Sequence, residues 1–279
     1  VWTRLPKPRA IADACGRALR RSLPAVAAVA AIAALGGAAW AGRRWVTTSS
    51  RFAIADVVVR GAHQVGADEL RGALPVRAGD NVFADLAAIA RAARANPWIA
   101  AAEVHRILPN TITVDVREYA AAAVVELGDL YLVDASGRPF KRAAIETGET
   151  DGLPIITGVG RASYLANRAA AAATVRAAIV AFERWRAAHR PAIREIHIDP
   201  HGAITLHTEG SGQPAAPGSM TRGTPAIAIQ LGPLGGDLDA RMRTFDTAWI
   251  ALSDAERARA RAIHLGARSD HITVAFATD

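Results

Sequence analysis

Three histidines set close together, His197, His201 and His207, come nearest in this 279-residue sequence to a reactive group of side chains. Imidazole nitrogens ligate zinc, but a zinc site needs its ligands to converge and a fourth donor to join them. These three flank or occupy the turn Asp199-Pro200-His201-Gly202, between two β-patterned segments, Ile193–Ile198 and Ala203–His207. They read as solvent-facing strand and turn residues. Gly232–Gly236, GPLGG, precedes a helical stretch and could offer helix N–H groups to a phosphate. It lacks the P-loop lysine and the Rossmann glycine spacing, so it reads as a helix-entry loop. No serine sits in a G-x-S-x-G elbow, no paired-carboxylate signature is visible, and the one cysteine is Cys15. With no catalytic constellation, the expectation is a non-enzyme without metal or cofactor, working through its surfaces.

The element that positions everything else is Ser22–Gly42, SLPAVAAVAAIAALGGAAWAG, an uncharged run held between Arg20-Arg21 and Arg43-Arg44. As a helix it reaches about 30 Å, one hydrocarbon core. A soluble core helix is seldom uncharged on every face. Ala39-Trp40-Ala41 has the small-x-small form of a signal cleavage site, but the preceding basic segment and the apolar run are both long for a signal peptide. A retained single-pass anchor is expected. Arg4, Lys7, Arg9, Arg17, Arg20 and Arg21 precede it, against Arg43, Arg44 and Arg51 after it. That asymmetry favours a cytoplasmic N-terminus with the bulk outside.

Composition narrows the rest. The net charge of +7 rests on arginine, with lysine only at positions 7 and 141, and alanine is abundant. This is the bias of a GC-rich genome, and the arginines are scattered, not interleaved with aromatics as a nucleic-acid surface would have them. Cys15 precedes the anchor, so the exported part is expected to hold together by its core alone.

After a polar connector over residues 43–51, Phe52–Arg60 reads as a strand and Asp68–Ala73 as a short helix. A second helix begins at Asp85 and ends before Asn96-Pro97; Trp98–Leu108 and Thr111–Glu118 form a hairpin about Pro109-Asn110. Its return strand alternates Ile112, Val114 and Val116 inward with Thr111, Thr113, Asp115 and Arg117 outward. The second domain opens with strands Ala121–Glu126 and Leu130–Val133, and Leu153–Val159, with its proline and glycines, reads as an ordered loop. Tyr164–His189 reads as one long helix, Gly210–Thr224 as a mobile polar loop and Ala226–Leu231 as a strand. Leu238–Ala262 reads as helical, and Ile272–Phe276 closes the chain as a strand.

The β-α-α-β-β order directly after one span resembles a POTRA domain, and the detailed pattern resembles the FtsQ/DivIB family of bacterial division proteins. The pieces that carry it are Val57-Val58-Val59-Arg60-Gly61, Gly79-Asp80-Asn81-Val82-Phe83, Asn96-Pro97-Trp98-Ile99, Val104–Ile112, Val114–Tyr119 and Leu132–Gly137. The fold implied is α+β: a single transmembrane helix, a POTRA domain, and an antiparallel-sheet β domain with flanking helices. The boundaries expected are a basic tail over 1–21, the span over 22–42, the connector over 43–51, POTRA over 52–119 and the β domain over 120–279. One departure is Ile263-His264-Leu265-Gly266, which stands where the family often has an acidic residue before a Leu-Arg pair.

What the resemblance implies is a divisome scaffold at the septum of the cell inner membrane, linking early and late division proteins and helping to regulate septal wall synthesis. Its partners would be the FtsB–FtsL coiled coil, by strand pairing at the C-terminal edge, and other division proteins at the POTRA domain. By position, the edge is Ser269, Asp270, His271, Ile272, Thr273, Val274, Ala275 and Phe276. The alternative, that this strand merely completes the sheet, stays open at this point. So do a POTRA-bearing export or outer-membrane assembly module and, more remotely, an envelope enzyme.

Overall fold

A computed structural model describes residues 8–209, 226–265 and 272–277, with side chains from residue 24 onward. The chain divides into two compact units, Val1–Arg117 and Glu118–Asp279. The expected loop over residues 210–224 and the expected site residues Ser269, Asp270 and His271 lie outside the described residues.

The first unit opens with α1, Pro8–Thr48. An 18-residue window within Pro24–Thr48 reaches a mean hydropathy of 1.8, with none of that window buried against protein. A helix apolar on all sides and covered by nothing is one that lipid solvates, because its backbone groups are satisfied internally. The expected connector is helical as far as Thr48. Nothing between Gly42 and Thr48 breaks the helix, and Thr48 Oγ1 bonds back to the Arg44 carbonyl at 2.7 Å.

A single 3-10 turn at Ser50–Phe52 leads into β1 (Asp56–Arg60), α2 (Ala67–Ala73), α3 (Leu86–Ala93), β2 (Ile99–Ile107) and β3 (Thr111–Glu118). The sheet order is β1-β3-β2, with β1 parallel to β3. Strand β1 starts later than its β-branched run suggests because the main chain of Ile54 bonds Asp80 and Gly79 instead of a ladder partner. The Asp85 side chain accepts from Ala87 N and starts α3. Ile89 then packs with Val57, Leu70, Ile112 and Val114 in a closed core. Gly61 has φ 79°, and a Cβ there would strike the Val116 carbonyl, so only glycine turns the chain out of β1. Thr113, expected to face water, is 2% exposed. It lies on the middle strand, flanked by β1 and β2, and that position rather than the alternation buries it.

The second unit is a nine-stranded sheet with helices. Its elements are β4 (Ala123–Glu126), β5 (Leu130–Val133), β6 (Pro139–Arg142), β7 (Ile155–Thr157), α4 (Arg161–Ala166) and α5 (Arg168–Ala187). After these come β8 (Ile193–Ile198), β9 (Ala203–Thr208), β10 (Ala228–Pro233), α6 (Leu238–Ala251), α7 (Asp254–Arg259), β11 (Ala260–Leu265) and β12 (Ile272–Phe276). The order across the sheet is β12-β11-β10-β9-β8-β7-β4-β5-β6. Hairpins make the antiparallel pairs, while β4–β7, β7–β8 and β10–β11 are parallel. Helices α4 and α5 cross from β7 to β8, and α6 and α7 from β10 to β11. Parallel neighbours require such crossovers.

Three elements differ from the sequence reading. The stretch expected as a loop, Leu153–Val159, holds β7 in the middle of the sheet, with Ile156 fully buried. Pro154 precedes that strand and needs no donor; its carbonyl accepts from Val124 N at 2.9 Å. The expected helix Tyr164–His189 is two helices, because Asn167 leaves the helical region and caps α5 by accepting from Ala170 N. The expected helix Leu238–Ala262 ends at Ala251, and a capping box between Ser253 and Glu256 starts a second, short helix.

The core forms where α5 and α6 meet the sheet. Val175, Ile179, Phe182 and Trp185 line the buried face of α5, and Met242 and Phe245 that of α6. The Trp185 and Phe245 rings lie 4.7 Å apart, and Trp185 Nε1 donates to the Pro191 carbonyl at 2.8 Å. At the β8–β9 turn, Asp199 Oδ1 accepts from His201 N and Ala203 N, both at 2.8 Å. Those main-chain donors, Ala203 foremost, hold the carboxyl below its ordinary range.

Trp185→Ala is expected to cost about 3–5 kcal/mol, and Phe245→Ala a similar amount. The two rings touch, so the double variant should cost measurably less than their sum, which urea unfolding of the four proteins would read. Asp199 is a depressed acid, so its contribution is complete above the ordinary carboxylate pKa of about 3.9 and is lost as pH falls through its lower folded value. Asp199→Ala should therefore lower stability at neutral pH and flatten part of the acid limb, measured as unfolding midpoint against pH.

Candidate partner-binding edge

An open sheet ends in strands with one neighbour, and half of their main-chain groups then lack a ladder partner. The two sheets here have four such ends, and three are blunted. In the first unit, Arg71 Nε donates to the Val57 carbonyl at 2.8 Å, covering part of β1 from α2. Strand β2 carries the exposed Glu103 and His105. At one end of the large sheet, β6 begins with Pro139, which has no N–H, and holds Lys141. Lys141 Nζ reaches both carboxylate oxygens of Glu149, at 2.7 and 2.6 Å, with both side chains about four-fifths buried.

Strand β12 is the other end, and among the described residues it carries no proline, no charge and no covering side chain; the pair it forms with β11 has one bulge, between Ala260 and Ala262. Among the described residues it pairs antiparallel with β11 alone, Leu265 opposite Ile272, His264 opposite Thr273, Ile263 opposite Val274 and Ala262 opposite Ala275. Ile272 and Val274 pack against the core, while Thr273 and Ala275 are exposed on the other face. Phe276 stands opposite the small Ala260 and remains 41% exposed. Ala260 and Ile263 are fully buried, so β11 is fixed from behind, and it bulges between Ala260 and Ala262 where it pairs with β12. The main-chain donor of Ala277 bonds Arg259 O at 2.9 Å and ties down the end of the strand. Of the expected edge, Ile272, Thr273, Val274, Ala275 and Phe276 are thus together on one strand.

What the sequence reading placed too late is the start of the strand that makes β12 terminal: the family's penultimate strand was expected at residues 263–266, and β11 begins at Ala260. Residues Ala260–Leu265 pair in parallel with β10 through Ala228–Gln230, and residues 260–262 stand where the end of a long helix was expected. The signal was present: Ser253-x-x-Glu256 is a capping box and marks a new helix start. Both Ser253 N and its hydroxyl donate to Glu256 Oε2, at 2.8 and 2.6 Å. Those bonds hold the Glu256 carboxyl below its ordinary range, the side-chain hydroxyl contributing most.

The other candidate residues are accounted for locally. His197 Nδ1 lies 2.9 Å from Thr157 Oγ1, His201 is on the exposed turn, and His207 stands on β9 opposite Glu195. The GPLGG loop turns carbonyls, not N–H groups, toward its one buried charge. The Arg241 side chain donates to the carbonyls of Leu231, Pro233 and Gly235, the last two at 2.6 and 3.0 Å. Burial pushes its guanidinium pKa down. A cleft of about 530 Å³ beside Trp185 is lined by Arg186, Arg190 and Arg194. Arg190 there is committed to Asp246, through bonds of 2.6 and 2.8 Å.

With that geometry in hand, the comparisons with known proteins agree along the chain. Residues 52–119 match the model of the POTRA domain, FtsQ-type, and residues 122–249 that of the cell division protein FtsQ/DivIB, C-terminal. The cell division protein FtsQ of Anaeromyxobacter sp. (strain K) is 36% identical over 256 residues, covering 90% of this chain and 79% of that protein. The cell division protein FtsQ of Myxococcus fulvus is 32% identical over 63% of this chain and 62% of its own length. That of Geotalea daltonii is 29% identical over 72% and 74%. Among the described residues, Pro24–Thr48 is one helix long and apolar enough to cross a membrane. An apolar span, a β-α-α-β-β unit and a helix-backed sheet, in that order and with these relatives, place the chain: it belongs to the FtsQ/DivIB family of cell division proteins.

Proposed function

We propose that this chain is a non-enzymatic scaffold of the division septum that recruits its partners by strand addition at β12. Its short N-terminal tail is cytoplasmic, α1 crosses the cell inner membrane once, and both folded units lie outside. The second unit takes a strand of FtsB, carried on the FtsB–FtsL coiled coil, along Thr273, Val274, Ala275 and Phe276. The POTRA unit serves other division proteins, and the assembly links early and late components and helps regulate septal peptidoglycan synthesis. The observation that carries this reading is the terminal place of β12 in a nine-stranded sheet whose other end is blunted by proline and a part-buried lysine ion pair. Strand addition draws affinity from the main chain and specificity from alternate side chains. Here the alternation is Thr273 and Ala275 on one face and Ile272 and Val274 on the other. Because both partners are confined to one membrane, a modest pairwise affinity suffices for stable occupancy.

A photocrosslinking residue placed at Thr273, then at Val274, in the anchored protein is expected to give adducts with a small bitopic coiled-coil protein in dividing cells. If the protein is present and inserted but neither site gives an adduct, strand addition at this edge fails. Phe276, exposed at 41%, is the large apolar side chain at that edge. Phe276→Ala should weaken binding of the purified partner ectodomains about tenfold, on the order of 1–2 kcal/mol. The unfolding midpoint should barely move, so calorimetric titration beside a thermal melt separates a contact from a folding defect.

A further inference from the structure

The exposed apolar surface of the first unit is concentrated at one end. Among the described residues of 52–119, the large hydrophobic side chains left exposed are Phe83, Ile107 and Leu108, at 41%, 50% and 59%. Ile107 ends β2 and Leu108 opens the turn to β3. That turn lies beside the entry to β1, since Asp56 pairs with Thr111 and Ala55 N donates to Asn110 O at 2.8 Å. Phe83 belongs to a turn fastened to the same entry, through Ile54 N to Asp80 O at 2.6 Å and Val82 N to Phe52 O at 2.7 Å. Arg106 joins the two turns. Its Nε and Nη2 donate to the carbonyls of Val82 and Ala84 at 2.6 and 3.0 Å, and its guanidinium carbon lies 5.1 Å from the Phe83 ring centre.

The same end receives α1. Asn81 Nδ2 donates to the carbonyls of Val46 and Thr47 at 3.0 and 2.8 Å. These belong to the last turn of the helix, whose carbonyls have no partner within it. The Phe52 ring bridges Trp45 and Phe83, with ring centres 6.0 and 5.4 Å apart. The depth of this end follows from the helix. Val46 and Thr47 come shortly after Gly42, the last residue of the uncharged run, so at 1.5 Å per residue they lie about 6–8 Å beyond it. The headgroup layer on each side of a bilayer is about 5–8 Å thick. A turn bonded to those carbonyls therefore sits at headgroup depth. The neighbouring side chains are of the interfacial kind: Trp40 and Trp45 are exposed, and the Arg44 guanidinium lies 5.5 Å from the Trp40 ring.

We propose that the Asn81–Phe83 turn and the Ile107–Leu108 tip seat this end of the POTRA unit in the phospholipid headgroup layer. The Phe83 ring enters the boundary with the hydrocarbon, and Arg44 and Arg106 lie level with the phosphates. Asn81, by holding the helix end, sets the depth. The occupant of the patch is lipid because the patch is continuous with the span that lipid already surrounds, and because the cations beside it complement phosphate. The seat depends on α1 crossing the bilayer and not on any partner at β12.

The test uses the full chain with 4-fluorophenylalanine placed at Phe83, in nanodiscs of phosphatidylethanolamine and phosphatidylglycerol. Fluorine relaxation is read with gadolinium carried on a lipid headgroup, then with a water-soluble gadolinium chelate. The lipid-borne metal is expected to dominate at position 83, and its contribution to fall in Asn81→Ala and in Leu108→Ser. Relaxation by the aqueous chelate alone, in the unsubstituted chain, overturns the proposal and leaves the patch to a protein partner. Because the unsubstituted chain decides, a variant that failed to fold would not rescue it.

Discussion

A strand with one neighbour leaves a row of N–H and C=O groups that water satisfies only as well as another chain could. In this protein the constraint is met by covering, removing or charging three of the four ends. The Arg71 side chain covers a β1 carbonyl, Pro139 removes a donor from β6, and β2 keeps Glu103 and His105 at its surface. The Lys141–Glu149 pair goes further, since Glu149 also accepts from Ala144 N at 3.0 Å and so fixes the chain leaving β6. A part-buried ion pair is a weak source of stability, and what this one contributes is a fixed position for the chain after β6. Against that background, β12 stands out by what it retains: a small or β-branched run from Ile272 to Ala275, the exposed Phe276, and no charge from Ile272 to Phe276.

Support for that strand comes from across the sheet. The aromatic chain Trp185–Phe245–Trp249 runs from α5 into α6, with successive ring centres 4.7 and 5.6 Å apart. Helix α6 packs against β10, β11 and β12. Arg190 locks the two helices by gripping Asp246 with two nitrogens while lying 5.1 Å above the Trp185 ring. Arg241 then holds the loop between β10 and α6 by its carbonyls, so the helix cannot slide along the strands. An added strand would dock on an edge already ordered, and would not pay to order β12 itself.

Much of this was legible in the sequence, and the failures have physical causes. The uncharged run, the β-α-α-β-β unit and the final strand were readable because each has a clean period or length. Strand β7 was not, because a central strand with only Ile155, Ile156 and Thr157 needs its neighbours to exist, and Pro154 beside it looks like a breaker. Asn167 and Ser253 were visible as caps, but alanine-rich flanks let a single helix seem continuous through both. The fate of Thr113 depended on its strand being the middle one, which alternation does not encode. The edge itself was partly legible: the residues of β12 could be named, yet its terminal place follows from β11 pairing in parallel with β10, a long-range contact no local pattern carries.

Chain order also sets how the span meets the POTRA unit. Between the span and the first strand stand only a 3-10 turn and a few residues, and Asn81 closes the helix end from within the POTRA fold. A flexible tether would let the domain sample many orientations and dilute its partner surface. A helix end hydrogen-bonded to the domain, with aromatic rings on both sides of the joint, removes that freedom. Two proteins held in one membrane gain effective concentration only where their geometry allows simultaneous engagement. Stiffness at the joint therefore orders the POTRA unit relative to the span, and a loose joint would release that unit without changing a single residue of its core.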